Sequence, residues 1–420
     1  MSTQIDLVIV GLGYVGLPLA KQASLRGVSV VGFDLSEPVI EGLNAGRTHI
    51  DDLEDADVAE MVERGFRATS DPAVLGQADA VVICVPTPLD DTGSPDLGAV
   101  RGATRAIADQ LRPGQLIVLE STTYPGTTND LVKPLLEASG LTVGADVHLA
   151  YSPERIDPGN QTYGVENTPK VVGGYDAAST EKACALYGRF IDTVVPVSGT
   201  REAEMAKLLE NTYRHINIAL VNEMAIFCHD LGIDLWESIE AAKTKPFGFQ
   251  AFYPGPGVGG HCIPIDPNYL SYKVRTLGYP FRFVELAQEI SARMPSYVVS
   301  RITRNLNDAE RSVKGAKILL LGVTYKPDIA DERESPAQPV ARRLLELGAD
   351  LSYHDPLVMS WEIDGRPVPR VDDPVVAAES ADLTVLLQNH RSYDLDVLMA
   401  RARRVFDTRG AMAGENIERM

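Results

Sequence analysis

The sequence contains few of the features that mark secreted or membrane proteins. Only four of its 420 residues are cysteines, at positions 84, 184, 228 and 262, and no pair has CxxC spacing. This spacing indicates neither a disulfide scaffold nor a zinc site, and we expect no bound metal. The longest apolar run, residues 7–20, is too short to span a bilayer and contains three glycines and a proline. The first residues carry no basic segment typical of a signal peptide, so the sequence predicts a cytoplasmic protein without a membrane partner.

Basic residues are also scarce. The chain has 39 lysines and arginines against 58 aspartates and glutamates, which gives a formal net charge of −19. A surface of this sign repels nucleic-acid phosphates and anionic lipids, so neither is an expected partner. An anionic substrate therefore needs a local group of Lys, Arg or backbone N–H donors.

Length and composition predict a globular chain of two or three domains. The chain has 420 residues, of which 45% are hydrophobic and 23% are charged. Strand and helix patterns alternate over the first two hundred residues, beginning with an almost continuously apolar strand pattern at residues 5–10. This alternation is typical of a doubly wound α/β domain.

Two further regions follow along the chain. Residues 201–231 contain neither glycine nor proline and predict one long helix ended by Gly232, and a second helical stretch covers about residues 281–306. Strand–helix alternation then resumes, with Gly322 at the turn and an acid, Asp355, at the end of the next strand pattern. The predicted fold is α/β, with two Rossmann-like doubly wound domains at residues 1–200 and 307–420 joined by a long-helix central domain at residues 201–306.

A glycine motif follows the first strand pattern. Gly11, Gly13 and Gly16 form GxGxxG between a strand and a helix, where glycines permit a tight turn, close approach of a pyrophosphate and close helix–strand packing. Asp34 ends the next strand pattern, where a carboxylate accepts the ribose hydroxyls and repels a 2′-phosphate. The motif therefore predicts an NAD site rather than an NADP site.

Cys262 lies in an unusual loop. The stretch "YPGPGVGGHCIPID", residues 253–266, leads into His261 and Cys262 with four glycines and two prolines, a composition suited to a rigid loop that presents a thiol. The other three cysteines fit small buried side chains. Adjacent side chains usually diverge, so His261 is a poor activator of Cys262, and a cation from elsewhere is a better candidate because an ammonium lowers a thiol pKa.

The long predicted helix offers such a cation. Lys207 and Asn211 are four residues apart and share one face, from which they could position a water or stabilise an oxyanion. Taken alone, this pair fits a solvated helix surface better than a site. Glu154 follows a strand pattern at the carboxyl edge of the first predicted sheet, which is the usual place for ligands in open α/β folds.

Seven motifs in order resemble one enzyme family. They are "GLGYVGLPLA", "VPTPL", "ESTTYPGTT", "YSPERIDPGN", "EMAKLLENTYR", "PGPGVGGHCIPID" and "GVTYKPDIADERESP", and they cover nearly the whole chain. Together they resemble the nucleotide-sugar dehydrogenases, the UDP-glucose/GDP-mannose dehydrogenase family, with the motifs closest to its UDP-N-acetylglucosamine branch. Two positions depart from the common pattern: Glu120 replaces the lysine of "KST", as in the amino-sugar branches, and Ile265 replaces a lysine before the aspartate of the cysteine loop.

The resemblance implies a four-electron oxidation of the sugar's primary alcohol to a carboxylate, with NAD as acceptor of both hydrides. The substrate would be of the UDP-N-acetylglucosamine, UDP-glucose or dTDP-glucose type. Cys262 would hold the intermediate aldehyde as a thiohemiacetal and then as a thioester. By the same resemblance Lys207 and Asn211 stabilise the oxyanion, and Asp266, Glu154 and a water bridged through Thr122 handle protons.

The resemblance also implies two sets of binding residues. The NAD site would comprise the glycine motif with Tyr14, Val15, Asp34, Thr87, Thr122 and Arg333. The nucleotide sugar would contact Glu154, Arg155, Ile156, Lys207, Asn211, Tyr253, Gly259 and Lys326. The central domain would carry the cysteine loop and a homodimer or higher homo-oligomer interface, and the last domain would bind the nucleotide sugar.

Two other functions are alternatives to the nucleotide-sugar dehydrogenase hypothesis. A two-electron dehydrogenase of the β-hydroxyacid type also joins a Rossmann domain to long helices, but its reaction needs neither the second α/β domain nor the "GGHC" loop. A protein that only senses NAD or a nucleotide sugar would need no nucleophile, and Cys262 with Asp266 disfavours it.

Overall fold

The computed structural model describes residues 4–50, 52–90, 94–157, 160, 162–260 and 263–420. Its contacts divide the chain into two compact units. The first unit comprises Met1–Glu210 and Asn268–Tyr279, and the second comprises Asn211–Pro267 and Pro280–Met420. The three domain ranges given above stay a prediction.

The first unit contains an eight-stranded sheet. Its strands are β1 (Ile5–Val10), β2 (Val30–Phe33), β3 (Arg67–Thr69), β4 (Ala78–Ile83), β5 (Leu116–Leu119), β6 (His148–Tyr151), β7 (Lys170–Gly174) and β8 (Val194–Pro196). The order is β3-β2-β1-β4-β5-β6-β7-β8, and only the β6–β7 pair is antiparallel. The first six strands thus follow the 3-2-1-4-5-6 order of a dinucleotide-binding sheet.

Helices of the first unit follow the strands. They are α1 (Gly16–Leu25), α2 (Glu37–Asn44), α3 (Asp55–Glu63), α4 (Gly98–Ala108), α5 (Lys133–Glu137) and α6 (Ala177–Tyr187), with a 3-10 turn at Pro72–Gly76 and a π-helical turn at Thr128–Val132. Buried side chains of β1 and α1, among them Leu7, Ile9 and Leu17, belong to one hydrophobic core. Val8 and Val10, on the opposite face of the strand from Leu7 and Ile9, are buried too, so burial on both faces of the sheet explains the almost continuously apolar β1.

The long predicted helix is α7 (Thr200–Asp230), which begins in the first unit and ends in the second. Gly232 follows it with a φ of 68°, a left-handed conformation that suits glycine after a helix end. The next helices are α8 (Leu235–Lys243), α9 (Asp266–Arg275) and α10 (Arg282–Asp308). The second predicted helical stretch corresponds to α10.

The second unit contains a five-stranded parallel sheet of order β10-β9-β13-β14-β15. The strands of the unit are β9 (Lys317–Leu321), β10 (Asp350–His354), β11 (Glu362–Ile363), β12 (Arg366–Pro367), β13 (Leu383–Leu386), β14 (Val405–Asp407) and β15 (Ile417–Arg419). The helices are α11 (Ala337–Glu346), α12 (Pro374–Ser380) and α13 (Leu395–Arg401). The predicted fold class, two Rossmann-like sheets with long helices between them in the sequence, is confirmed.

Two predictions made from single features can also be compared with the structure. Among the described residues, no helix is both long and apolar enough to cross a membrane. Cys84 and Cys228 are buried, as expected for small core side chains, whereas Cys184 is only partly buried and packs against the edge of the first core.

Candidate active site

The glycine turn lies between β1 and α1. Gly11 has a φ of 90°, and a Cβ on it would lie 2.8 Å from the carbonyl oxygen of Cys84. A Cβ on Gly16 would lie 1.9 Å from the carbonyl oxygen of Gly11, whereas a Cβ on Gly13 would have no described atom within 4 Å. Gly11 and Gly16 are therefore required by packing, and Gly13 leaves an open face on which a pyrophosphate could lie.

Asp34 follows β2 and is fixed beside this turn. Its Oδ2 accepts a hydrogen bond from the backbone N–H of Leu12 at 2.9 Å, and its Oδ1 accepts one from Ser36 at 2.9 Å. Both bonds orient the carboxylate at the carboxyl end of the sheet, where the ribose of a dinucleotide binds. The open face at Gly13 and the oriented Asp34 carboxylate fit NAD.

The other predicted NAD residues of the first unit are near the same strand ends. Val15 is the residue before α1, and Tyr14 beside it is 45% exposed. Thr87 follows β4, and its carbonyl oxygen accepts a hydrogen bond from the hydroxyl of Tyr269 in α9. Sequence reasoning missed Tyr269, which is fully buried and fixes the turn that carries Thr87. Its only signal is its position seven residues after Cys262.

Thr122 and Lys207 form a pair in the first unit. Thr122 lies in the segment after β5, and its Oγ1 accepts a hydrogen bond from Nζ of Lys207 at 2.5 Å. Lys207 is only 8% exposed, so its ammonium is held in a largely desolvated position. The interpretation of Lys207 as an ordinary solvated helix residue is therefore not supported.

Asn211 and Asp266 form a second pair, in the second unit. Nδ2 of Asn211 donates to Oδ2 of Asp266 at 2.6 Å, and the two residues are 8% and 3% exposed. Asp266 begins α9, directly after the cysteine loop. A buried amide thus orients a buried carboxylate close in sequence to Cys262.

Glu154 lies beside a buried ion pair that sequence reasoning missed. Oε1 of Glu154 accepts from the backbone N–H of Ile156 at 2.6 Å, and its Oε2 lies 3.6 Å from Nζ of Lys170. Nζ of Lys170 also lies 2.8 Å from Oε2 of Glu120, and the hydroxyl of Tyr187 donates to Glu120. Glu120 is fully buried, so the acid of the "EST" motif is a buried partner of Lys170 and not a solvated side chain.

The electrostatics of this cluster follow from its burial. Burial raises the pKa of the Glu120 carboxyl although Lys170 opposes the shift. For Lys170 burial acts in the opposite direction, but the carboxylates of Glu120 and Glu154 outweigh it and raise the pKa of the ammonium. Lys170 therefore stays charged between two carboxylates.

Two residues predicted to bind the nucleotide sugar have partners within the chain. Nη2 of Arg155 lies 2.6 Å from Oε1 of Glu210, and Nη1 donates to the carbonyl of Pro169 at 2.6 Å. The ring of Tyr253 stacks on Trp236 with centroids 6.0 Å apart.

The glycine loop that precedes Cys262 packs against the turn between β9 and α11. A Cβ on Gly259 would lie 2.5 Å from the carbonyl oxygen of Glu334, and one on Gly260 would lie 2.6 Å from the ring of Tyr325. Close packing therefore requires glycine at these two positions, and the rigidity of the loop stays a prediction. His261 and Cys262 themselves lie outside the described residues.

Lys326 and Arg333 belong to the same β9–α11 turn in the second unit. The carbonyl of Lys326 accepts from Oγ1 of Thr324 at 2.9 Å, and Arg333 forms two hydrogen bonds to Asp331, at 2.8 Å and 2.6 Å. The structure places Arg333 in a different unit from the other predicted NAD residues.

The acid at the end of β10 in the second Rossmann-like sheet, Asp355, is hydrogen-bonded within the protein. The carboxylate of Asp355 is fully buried and accepts from the backbone N–H of Val323 at 2.8 Å and of Leu357 at 2.9 Å, and it lies 3.1 Å from Nε2 of His390. The amide N–H of Asp328 donates to Nδ1 of His390 at 3.0 Å, so Nε2 carries the proton toward Asp355. Asp355 is thus a structural acid, unlike Asp34.

The fold and the glycine turn together define a dinucleotide-binding protein. The NAD-binding domain of the UDP-glucose/GDP-mannose dehydrogenase family matches residues 5–191, its central domain matches residues 201–293, and its UDP-binding domain matches residues 319–414. The chain belongs to this family. The predicted family and the predicted cofactor are confirmed.

Similar proteins extend over almost the full length of the chain. UDP-N-acetyl-D-mannosamine dehydrogenase of Methanococcus maripaludis is 33% identical over 96% of this chain and 92% of its own length. UDP-N-acetyl-D-glucosamine 6-dehydrogenase of Pseudomonas aeruginosa is 34% identical over 99% of this chain and 94% of its own length. The solved structure of UDP-D-ManNAc dehydrogenase from Pyrococcus horikoshii matches with a TM-score of 0.88 at 31% identity, covering 99% of this chain and 98% of that one. The chain is therefore an NAD-dependent nucleotide-sugar dehydrogenase.

Proposed function

We propose that this dehydrogenase oxidises the primary alcohol of a UDP-N-acetylhexosamine to a carboxylate, and that Cys262 holds the half-oxidised sugar between the two oxidations. The observation that carries the proposal is the arrangement on α7. Lys207 and Asn211 are one helical turn apart, both are buried, and each is hydrogen-bonded to another residue that the motifs assign to catalysis.

Lys207 and Asn211 act on the substrate oxygen in this proposal. Negative charge develops on that oxygen when the alcohol loses its proton and again when a thiolate adds to the aldehyde. An ammonium fixed by Thr122 and an amide fixed by Asp266 are donors oriented before the reaction begins. Preoriented donors in a desolvated position stabilise such charge more than mobile donors in water do.

Cys262 forms, and later releases, the covalent bond between the enzyme and the sugar. Its thiolate attacks the aldehyde carbon, a C–S bond forms, and the carbonyl electron pair moves to oxygen. Loss of a second hydride from the same carbon leaves a thioester, and water then displaces the thiolate to give the carboxylate. Bound NAD supplies the hydride acceptor for each oxidation. One alcohol, one water and two NAD⁺ thus give one carboxylate, two NADH and three protons.

Glu154 and Asp266 are the proposed proton carriers. Both are carboxylates held by hydrogen bonds, Glu154 by the backbone of Ile156 and Asp266 by Asn211. A carboxylate in a fixed position can accept the proton of the alcohol or of the hydrolytic water. Thr122 is the proposed bridge to that water.

The choice of an N-acetylated sugar rests on Glu120 and on the relatives. Glu120 gives this chain the "EST" form of the motif, the form of the amino-sugar branches. Names of similar proteins include UDP-N-acetyl-D-mannosamine and UDP-N-acetyl-D-glucosamine enzymes. A UDP-glucose dehydrogenase from Pyrobaculum islandicum is also similar, at 28% identity and a TM-score of 0.87, so UDP-glucose is a necessary comparison in any assay.

Counting NADH at limiting sugar tests the proposal. UDP-GlcNAc, UDP-ManNAc, UDP-GalNAc, UDP-glucose and dTDP-glucose are added in separate reactions at less than half the NAD concentration, because complete oxidation consumes two NAD per sugar, and NADH is measured at completion. We expect two NADH per sugar with an N-acetylated substrate. One NADH per sugar contradicts the covalent relay and supports a two-electron enzyme, and NAD binding without NADH from any sugar supports a sensing protein.

The cysteine is tested separately. Cys262→Ser should bind NAD as the wild type does but form no uronate, because a hydroxyl at this position is a weaker nucleophile and a poorer leaving group than a thiolate. Cys228→Ser, a change at another cysteine, is the matched control. An undiminished uronate yield from Cys262→Ser removes this residue from the mechanism.

Nucleotide-sugar contacts are proposed for Arg155, Ile156, Tyr253, Gly259 and Lys326. For Arg155 the proposal requires the substrate to replace Glu210 as its partner. NAD contacts are proposed for Tyr14, Val15, Thr87, Thr122 and Arg333.

A homodimer or higher homo-oligomer is also proposed. Large apolar side chains on α7 and α10 are exposed in the single chain, among them Leu220 at 52% and Phe283 at 66%. Light scattering on the purified protein tests the oligomeric state. The predicted cytoplasmic location is tested by cell fractionation.

A further inference from the structure

Glu204 is a buried acid to which the proposed mechanism gives no role. It lies in α7, in its first turns, and has no exposed surface. Its Oε1 accepts from the backbone N–H of Thr128 at 2.8 Å and from Oγ1 of Thr128 at 2.7 Å, and its Oε2 accepts from the backbone N–H of Gly126 at 2.5 Å. All three donors belong to one segment, residues 122–128, which we call the threonine loop.

The threonine loop carries Thr122 and runs from the end of β5 to the π-helical turn that begins at Thr128. Gly126 of this loop has a φ of 103°, a left-handed backbone conformation that favours glycine. The backbone N–H groups of Gly126 and Thr128 are buried donors that need an acceptor, and the carboxylate of Glu204 accepts a hydrogen bond from each. Glu204 therefore fixes the path of the loop.

The same loop is fastened to α7 at a second point. Glu204 and Lys207 are three residues apart and share a face of the helix. Lys207 donates to Thr122 at one end of the loop, and Glu204 accepts from Gly126 and Thr128 at the other. The position of Thr122 relative to Lys207 thus depends on the hydrogen bonds of Glu204.

We propose that Glu204 is a positioning residue, whose ionised carboxylate holds the threonine loop so that Thr122 and Lys207 are correctly placed for catalysis, and whose protonation lowers the rate. This inference rests on the proposed roles of Thr122 and Lys207. It adds a pH-dependent control that those roles do not contain.

The charge of Glu204 supports this control. Burial raises the pKa of Glu204 to about 7, although the hydrogen bonds from Thr128 and Gly126 oppose the shift. Asp130, on the π-helical turn, adds to the rise. A proton on the carboxyl makes one oxygen a poorer acceptor and weakens the bonds to the loop.

The charged and titratable neighbours come from three elements. Asp130 lies 3.7 Å from Nζ of Lys273 in α9 and 3.4 Å from Nη2 of Arg201 in α7. Tyr124, in the threonine loop itself, interacts electrostatically with Glu204. Partial burial raises the pKa of the Tyr124 hydroxyl above its usual value, so this group stays neutral near pH 7. Among the described residues no cation forms an ion pair with Glu204, so its charge near pH 7 is not fixed by a partner.

The pH profile of kcat is the test. In the wild type we expect kcat to rise with pH through a limb near pH 7. Thr128→Val removes one donor to the ionised form and should move the limb to higher pH, whereas Thr128→Ser keeps the hydroxyl and should leave the limb in place. Glu204→Gln should lower kcat about tenfold at pH 8 and abolish the limb, because an amide presents N–H groups to the loop's donors. Glu202→Gln, a change at an exposed acid of the same helix, is the control and should behave as the wild type.

A limb that is identical in the wild type, Thr128→Val and Glu204→Gln overturns the inference. If Glu204→Gln does not fold, the contrast between Thr128→Val and Thr128→Ser still decides the outcome. The pH dependence separates positioning from general damage, since general damage lowers kcat equally at every pH and leaves the limb in place. NADH counted per sugar is independent of this profile, so failure of the covalent relay and failure of the Glu204 inference are told apart.

Discussion

Two glycines in one turn should respond in opposite ways to the same substitution. In Gly16→Ala the new Cβ would lie 1.9 Å from the carbonyl oxygen of Gly11, a backbone atom that cannot rotate away. Real Cβ contacts are almost never below 3.0 Å, so α1 or the turn must move by more than 1 Å. In Gly13→Ala the new Cβ meets no described atom within 4 Å.

The expected magnitudes follow from these distances. Overpacking of this kind costs about 1–3 kcal/mol, and a contact this short belongs at the upper end. The Tm of Gly16→Ala should then fall by roughly 5–10 °C. Gly13→Ala should keep the wild-type Tm in the absence of NAD but bind NAD about tenfold more weakly, about 1.4 kcal/mol, because its methyl group would occupy the open face proposed for the pyrophosphate.

Thermal unfolding without ligand and calorimetric titration with NAD measure the two effects. Gly102→Ala, in α4, is the control without a collision, because this position has no positive φ and no described atom within 4 Å of the added Cβ. A wild-type Tm for Gly16→Ala would refute the packing role of this glycine. Wild-type NAD affinity for Gly13→Ala would show that the pyrophosphate does not lie on that face.

The remaining predictions concern charge. Lys170→Met leaves the Glu120 carboxylate buried without its ammonium partner and should lower the free energy of unfolding by about 3–5 kcal/mol. The double variant Lys170→Met, Glu120→Leu should recover most of this loss. Chemical denaturation measures both values, and an equal loss in the single and the double variant contradicts the prediction. Asp34→Ser removes the carboxylate that repels a 2′-phosphate and should shift the NAD/NADP affinity ratio about tenfold toward NADP, measured by titration; an unchanged ratio removes Asp34 from the ribose site. The native carboxyl of Glu204 keeps its proton up to about pH 7, whereas an unfolded one loses it near pH 4.5. The stability of the wild type relative to Glu204→Gln should therefore decline as pH rises through this window, by up to about 3 kcal/mol, and a constant difference contradicts it.

Sequence reasoning succeeded where the signal was local. The positions of Gly11, Gly16 and Asp34 in the fold were predicted from spacing alone, because the turn, the helix start and the next strand end are adjacent in the chain, and their contacts with NAD stay a prediction. The long α7 was predicted for the same reason, since a run without glycine or proline ends at Gly232.

Sequence reasoning failed where partners are distant in the chain. Lys170 begins β7 and Glu120 follows β5, 50 residues apart in the chain, and neither position shows that an ammonium lies between two carboxylates. Only the acid of the "EST" motif, where the family often has lysine, could have suggested a buried partner of opposite charge. Glu204 was overlooked because an acid near a helix start is ordinarily solvated.

The chain leaves the first unit at Glu210, re-enters it at Asn268 and leaves it again at Tyr279. An amino-terminal fragment cut near residue 210 would therefore lack α9, and with it the fully buried Tyr269 that holds the turn of Thr87. Such a fragment would expose the side chains that surround Tyr269 and would leave the turn of Thr87 without its hydrogen bond. A fragment designed to contain the first unit should therefore include residues 268–279, joined to residues 1–210 by a linker, rather than end at residue 210.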